Sequence, residues 1–179
     1  MQGHFNWMST VYIKNREHYS QVLSRVKKVR QSLWIGTADI KDLYVDEGST
    51  KQPFLGTLAQ LLKREVEVRM VHAKEPGPMF REDFDRYPIL FTELERVLCP
   101  RVHFKLLVFD CKEAYIGSAN LTGAGIGMKG EETRNFEAGI LTDEPALVEA
   151  VMEQFDEVWC GKMCKKCKRR EYCGDPIAG

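Results

Sequence analysis

The sequence predicts one α/β domain, with a mixed sheet flanked by helices on both faces, followed by a short cysteine-rich tail. Strand-like apolar runs alternate with amphipathic helical segments over residues 1–158, which is typical of such a domain. The chain has 179 residues, of which 44% are hydrophobic, so it can bury a core without disulfides. Four of the six cysteines come after residue 158, which sets the tail at 159–179 apart.

Hydrophobic periodicity places the elements in order along the chain. Apolar residues at helical spacing predict helices over 17–31, 54–65, 80–97 and 144–159, with a break or kink at Pro88 in the third. Short apolar runs rich in bulky residues predict strands over 32–40, 66–73, 103–109, 114–118 and 135–142. Strands that alternate with helices indicate a mostly parallel or mixed sheet.

The strand over 103–109 begins a chemically distinctive segment. His103, Lys105 and Asp110 have the spacing H-x-K-x4-D. Because side chains alternate faces along a strand, His103 and Lys105 should point the same way. Asp110 has the opposite parity and falls at the strand end, where a supporting role is expected. A nucleophile and a cation side by side suit phosphodiester chemistry.

Two later segments add further polar groups. Gly117, Ser118 and Asn120 follow in a G-S-x-N pattern, in which the glycine permits close backbone approach and the other two supply side-chain donors. The strand over 135–142 carries Glu137, and the Gly-rich segment 123–130 before it predicts a flexible connector beside the site. A lone histidine on an apolar strand is usually a core residue, so the joint spacing is what favours a site.

The combined pattern H-x-K-x4-D-x6-G-S-x-N resembles the signature of the phospholipase D superfamily, over about residues 12–158. GSANLT followed by an N-x-E strand is similar to the branch that contains single-motif nucleases. The resemblance implies a covalent phosphohistidine on the motif histidine. It implies these roles: His103 as nucleophile, Lys105, Ser118 and Asn120 on the non-bridging oxygens, Glu137 on the imidazole, and Asp110 as a brace.

The resemblance also implies a homodimer and no metal for catalysis. Lys105 supplies the positive charge that a metal would otherwise provide. The chemistry needs a second acid/base group, and the chain has only one such motif. Its other histidines, His4, His18 and His72, have no comparable context. We therefore expect a composite site with His103 from each subunit, brought together by a two-fold axis.

The tail carries a second signal, a C-x3-C-x2-C-x5-C pattern. Clustered thiols in a chain without a secretion signal indicate a metal rather than disulfides. Four thiolates suit either zinc or an iron–sulfur cluster. The run CKKCKRREYC resembles the C-x2-C-x5-C loop of [4Fe–4S]-containing CRISPR-associated and helicase-associated exonucleases, which favours a structural [4Fe–4S] cluster over zinc. The predicted ligands are Cys160, Cys164, Cys167 and Cys173, while Cys99 and Cys111 are expected to be core thiols.

The charge of the tail differs from that of the whole chain. The chain has 26 basic and 26 acidic residues, whereas residues 160–179 hold six basic and two acidic ones. A basic tail on a mildly acidic body predicts a nucleic-acid grip, and a solvated lysine run is the alternative. The residues expected to grip are Lys165, Lys166, Arg169 and Arg170.

These observations leave three functions open. The favoured one is a metal-independent phosphodiesterase acting on DNA or RNA. A phospholipase D-type lipid hydrolase or transferase would need a membrane-binding face, which the sequence does not show. A non-catalytic, nucleic-acid-binding redox module is the third. The N-terminus lacks the pattern of a secretory signal and no segment has the length of a membrane span, so a cytoplasmic location is expected.

Overall fold

The computed structural model describes residues 10–41, 43–47 and 50–174. His4 and the end of the predicted tail, 175–179, lie outside the described residues. The strands are β1 (Thr10–Lys14), β2 (Ser32–Thr37), β3 (Ile40–Lys41), β4 (Tyr44–Glu47), β5 (Thr50–Pro53), β6 (Glu67–His72), β7 (Glu95–Leu98), β8 (Lys105–Phe109), β9 (Glu113–Gly117), β10 (Leu121–Thr122) and β11 (Ala138–Thr142). The α-helices are α1 (Phe54–Lys63), α2 (Pro78–Asp85), α3 (Ile89–Glu93) and α4 (Pro145–Trp159).

A seven-stranded mixed sheet forms the centre, in the order β1-β11-β9-β8-β2-β6-β7. β2, β6 and β7 run parallel to one another. The pairs β2–β8, β8–β9, β9–β11 and β11–β1 are antiparallel. This arrangement confirms the predicted fold class.

Helices cover both faces of the sheet, as predicted. On one face α4 packs against the sheet, where Phe155 stacks on Trp34 of β2 at 5.1 Å between ring centroids. On the other face α1 buries eight of its ten residues, six of them in the larger core. Each fully buried Leu or Phe contributes about 1.5–3 kcal/mol. Within the described ranges, no helix is long and apolar enough to cross a membrane.

The helix predicted over 17–31 folds differently. Its apolar residues do pack inward, but the backbone forms a π-helical turn over His18–Val22 and a 3₁₀ helix over Leu23–Lys28. Ser24 donates its hydroxyl hydrogen to the carbonyl oxygen of Ser20 at 2.7 Å, a side-chain bond that competes with regular helical bonding. Valines in this segment also lower its helical propensity.

The third predicted helix is only partly correct. The chain is helical on either side of Pro88, in α2 and α3, but the prediction of helix as far as Val97 is wrong. The last residues form β7, the parallel edge strand beside β6. Arg69 of β6 donates to Glu95 of β7 at 3.0 Å. The pairing of β7 with β6, rather than local propensity, decides the extended conformation of residues 95–98.

Candidate active site

The predicted motif residues divide between the two ends of β8. The start of β8 lies beside the carboxyl end of β2, because Gly36 pairs with Leu106. Lys105 also pairs with Gly117, the last residue of β9. Ligand sites in open α/β sheets lie at the carboxyl ends of the parallel strands. His103, Lys105, Ser118, Asn120 and Glu137 all belong to this end of the sheet.

His103 and Lys105 are side by side, although His103 precedes the strand rather than lying in it. His103 is exposed, whereas Lys105 is only 9% exposed. The Lys105 Nζ lies 3.3 Å from the His103 Nδ1 and donates to the His103 carbonyl oxygen at 2.7 Å. Burial lowers the pKa of Lys105, and the nearby charge of Glu137 partly offsets that effect. The ammonium is therefore held close to the imidazole.

The Glu137 carboxylate is held by two side chains. The Ser118 hydroxyl donates to one of its oxygens in a short hydrogen bond, and the Asn135 amide donates to the other at 3.0 Å. Among the described residues, no hydrogen bond joins this carboxylate to His103, so the expected pairing of Glu137 with the imidazole stays a prediction. Asn135 was not among the predicted site residues, although the N-x-E pattern placed it on the same face as Glu137.

Asn15 fixes the backbone on which Glu137 sits. Its N–H donates to the Glu137 carbonyl at 3.0 Å, and the Glu137 N–H donates to the Asn15 side-chain oxygen at 3.3 Å. Asn15 adopts a left-handed φ of 47°, which asparagine tolerates better than most residues. In the sequence, the only indication that Asn15 supports Glu137 is an asparagine, which tolerates positive φ, directly after a strand.

The segment 123–130 is packed rather than loose in its first half. Ile126 is fully buried in the larger core. Gly127 has a φ of 82° and lies so close to Asn15 and Arg16 that a Cβ there would be 2.8 Å from the Arg16 Cα. The expected flexible connector instead supports the backbone next to Glu137.

Gly117 is required by a neighbouring side chain. A Cβ at this position would stand 2.1 Å from the hydroxyl oxygen of Tyr115. Tyr115 is 1% exposed and lies beneath the site, on the face of the sheet that carries the larger core. Burial raises the pKa of its hydroxyl well above the usual value. The glycine therefore makes room for Tyr115 under the site, in addition to any approach by a ligand.

Asn120 anchors the loop that follows β2. Its side-chain oxygen accepts from the Asp39 backbone N–H at 3.1 Å and from the Thr37 hydroxyl at 3.4 Å. The short parallel pairing of β3 with β10 lies directly beside it. These contacts orient the amide but involve only its oxygen, so the proposed use of its N–H₂ group on a phosphoryl oxygen stays a prediction.

Asp110 lies at the opposite end of β8. It begins the three-residue turn 110–112 between β8 and β9, in which Asp110 and Cys111 have positive φ, 52° and 54°. Its carboxylate accepts hydrogen bonds from the backbone N–H groups of Arg30, Gln31 and Ser32 at 2.7–3.2 Å. Burial raises the pKa of Asp110, but these bonds outweigh it and hold the pKa below the usual value.

The C-terminal tail packs against the loop between β7 and β8. The Cys173 thiol lies 3.7 Å from the Leu98 carbonyl oxygen, and Arg101 lies 3.9 Å from the Cys167 sulfur. The Arg169 backbone N–H lowers the pKa of Cys167, desolvation opposes this effect, and Arg101 adds to the lowering. Within residues 10–41, 43–47 and 50–174, no three His, Cys, Asp or Glu side chains stand close enough to hold a metal. The predicted four-cysteine site is therefore not preassembled.

The basic side chains of the tail face solvent. The four predicted grip residues, Lys165, Lys166, Arg169 and Arg170, are all exposed. The tail that carries them contacts Leu98 at the end of β7 and Arg101 in the 99–104 connection, which also contains His103. The basic side chains of the tail therefore lie on the side of the molecule where the connection from β7 to β8 begins.

Three comparisons with known proteins bear on this geometry. Residues 22–159 match the family described as "Cardiolipin synthase, PLD-like domain". The fold is similar to that of NucT from Helicobacter pylori, with a TM-score of 0.63, 13% identity, and coverage of 84% of this chain and 94% of that one. It is also similar to Nuc from Salmonella typhimurium, a phospholipase D family member, with a TM-score of 0.64, 20% identity, and coverage of 85% and 94%.

A third solved structure is similar over a smaller part of its own length. TrmBL2, an archaeal chromatin protein described for a novel mode of DNA binding, has a TM-score of 0.57 and 13% identity, with coverage of 84% of this chain and 51% of that one. A comparison with curated proteins gave no match. The family match covers well over half of the chain and includes every predicted catalytic residue. The chain therefore belongs to the phospholipase D-like family.

Proposed function

We propose that this protein is a metal-independent phosphodiesterase that cleaves nucleic acid through a phosphohistidine on His103. The observation that carries the proposal is the pairing of an exposed imidazole with a buried lysine ammonium 3.3 Å away, at the carboxyl ends of the parallel strands. Ser118 and Glu137 are joined beside them. This set supplies a nucleophile, a fixed positive charge and an acceptor for the imidazole proton.

The first step forms a phosphorus–nitrogen bond. The His103 Nε2 lone pair attacks phosphorus, the bond to the leaving oxygen breaks, and that oxygen takes a proton from a second acid. Water then attacks phosphorus, gives its proton to the same group, and the phosphorus–nitrogen bond breaks. Both steps place extra charge on the non-bridging oxygens, where a preorganised ammonium and hydroxyl are worth a few kcal/mol each.

The position of Lys105 implies a rearrangement when substrate binds. As a donor, its ammonium points to the His103 Nδ1. A nucleophilic Nε2 requires the hydrogen of the neutral imidazole to lie on Nδ1, where it needs an acceptor. We propose that a phosphoryl oxygen draws the ammonium away from Nδ1, and that the Glu137 carboxylate then accepts the Nδ1 hydrogen.

The second acid comes from another copy of the chain in this proposal. His18 and His72 are both fully buried, so neither of these described histidines can reach a substrate. Phe136 is 93% exposed and directly precedes Glu137, which places an apolar ring at the rim of the site. A two-fold contact across this rim would cover the ring and bring two His103 side chains together.

The charges of the tail favour nucleic acid as the substrate. Exposed lysines and arginines attract a phosphate backbone without sequence preference. TrmBL2, which is described for a novel mode of DNA binding, shares the fold and supports this choice over a lipid. The family description names cardiolipin synthase, so lipid is the competing substrate to test.

The decisive experiment measures cleavage of single- and double-stranded DNA and RNA in excess EDTA, with the His103→Ala variant as control. We expect cleavage by the wild type and at least a 10³-fold loss in the variant. A labelled substrate should also form a covalent adduct that survives denaturation and is absent from the variant. Turnover of phospholipid vesicles with no cleavage of any polymer would contradict the proposal.

Analytical ultracentrifugation tests the dimer separately. The active species should sediment as a dimer, and specific activity should fall when dilution takes the chain below its dimer dissociation constant. Undiminished activity of a monomeric species would exclude the composite site while leaving the phosphohistidine test unaffected.

A further inference from the structure

Two tail cysteines line the same cavity as one cysteine of the catalytic domain. A cavity of about 220 Å³ lies between the tail, the end of α4 and the connection from β7 to β8. Cys99, Cys164 and Cys167 all line it. Cys173 does not line the cavity, but its sulfur lies 3.7 Å from the carbonyl oxygen of Leu98, the residue that precedes Cys99.

The remaining cysteines do not share this location. Cys160 caps the end of α4, is exposed, and does not line the cavity. Cys111 is exposed in the turn between β8 and β9, at the far end of the sheet. Three cysteines therefore share the cavity, and Cys173 contacts the residue next to Cys99, so this set differs from the sequence pattern by Cys99 in place of Cys160.

The local backbone suits thiolate ligation. Cys164 and Cys167 are joined by a 3₁₀ turn in which the Cys167 N–H donates to the Cys164 carbonyl at 3.1 Å, so both thiols leave one tight turn. Val102, Phe104 and Val158 supply apolar walls. A liquid water occupies about 30 Å³, so this cavity has room for a single ion or for a larger group.

We propose that Cys99, Cys164, Cys167 and Cys173 bind one thiophilic metal centre, a zinc ion or an iron–sulfur cluster, that ties the tail to the catalytic domain. The thiols have not closed to ligating distances in the structure, and metal binding would close them, as happens when metal binding is coupled to local folding. Since Val102 and Phe104 flank His103, the centre would stabilise the segment that presents the nucleophile.

Thiol protection in the wild-type chain tests this ligand set without any substitution. The chain is purified anaerobically, divided into metal-loaded and chelator-treated samples, alkylated with iodoacetamide and mapped by mass spectrometry. The loading is done with Zn²⁺ alone, or with iron and sulfide. We expect metal to protect Cys99, Cys164, Cys167 and Cys173, while the exposed Cys111 and Cys160 are alkylated equally in both samples.

Metal content in two single variants provides the matched comparison. Cys160→Ser should retain the metal of the wild type, and Cys99→Ser should lose most of it. Iron with a sulfur-to-iron absorbance would identify a cluster, and zinc alone would identify a zinc site. Protection of Cys160 with free Cys99, or no metal with either probe, would overturn the proposal. The protection pattern decides the question even if Cys99→Ser fails to fold.

Discussion

The two ends of β8 carry residues of one sequence motif and use them in opposite ways. At the start of the strand, His103 is exposed and Lys105 extends its ammonium toward the imidazole. At the other end, both carboxylate oxygens of Asp110 accept hydrogen bonds from backbone N–H groups of residues 30–32. In the proposed function, His103 and Lys105 act on the substrate, while Asp110 stabilises the fold. Residues that occur at fixed spacing in one motif therefore need not have the same role in the folded protein.

The difference arises from what surrounds each end. The start of β8 meets the carboxyl ends of β2 and β9, where side chains can gather around a ligand. The far end meets the amino end of β2, whose free backbone N–H groups need an acceptor. Asp110 accepts from the N–H groups of Arg30, Gln31 and Ser32, at and just before the start of β2, and so ties the end of β8 to β2.

Replacing Lys105 should give the largest effect on activity and the smallest on stability. Lys105→Met removes the charge that faces the phosphoryl oxygens, so we expect a 10²–10³-fold loss of kcat. Burial lowers the folded-state pKa of Lys105, so its charged form destabilises the fold at neutral pH. Thermal unfolding should therefore show an unchanged or higher Tm. A Tm drop of several degrees would assign Lys105 a structural role.

Replacing Asp110 should give the reverse pattern. Asp110→Asn removes the charge that accepts three backbone bonds and should cost about 2 kcal/mol of unfolding free energy, while kcat per folded molecule stays within a few-fold. The native pKa is depressed, so this stability is present above the unfolded pKa of about 3.9 and is lost as pH falls through the lower native value. Denaturant unfolding between neutral pH and pH 3 measures the cost of the substitution and the pH dependence of the unfolding free energy. The variant should lack the loss of stability that the wild type shows as the pH falls.

Asn135 sharpens the comparison at the catalytic end. Asn135→Ala removes one donor from the Glu137 carboxylate and should lower kcat about tenfold, the usual effect of one hydrogen bond to a charged group. Asn135→Asp places a second carboxylate beside Glu137 and should cost more. A pH–rate profile distinguishes positioning from general damage, because its acid limb should shift only if Asn135 acts through Glu137.

The smallest effect is expected from the tail charges. Lys165→Ala with Lys166→Ala should weaken nucleic-acid binding and reduce the slope of log K against log salt by up to about 2 for duplex DNA, without changing kcat at saturation. The matched control is Lys28→Ala with Lys63→Ala, which removes two exposed lysines at the other end of the sheet. Equal slopes for the two double variants would favour the solvated lysine run over the grip.

The sequence was sufficient for features that depend on local pattern. Apolar periodicity predicted the α/β class, α1, α4 and the central strands, because burial of one face fixes the period of each element. Motif spacing predicted that His103 and Lys105 lie together, because two residues apart on an extended chain share a face. The same local reasoning failed for β7, where pairing with β6 decides the conformation.

Tertiary structure alone decided which groups support the site. Asn15 holds Glu137 across 122 positions of the chain, and Cys99 lines one cavity with Cys164 and Cys167, more than sixty residues away. Neither contact has a local pattern, since each arises when the sheet brings distant segments to one edge. The sequence by itself determined the fold class and the proximity of His103 to Lys105. The folded sheet determined the supporting contacts, because long-range packing leaves no periodic pattern in the sequence.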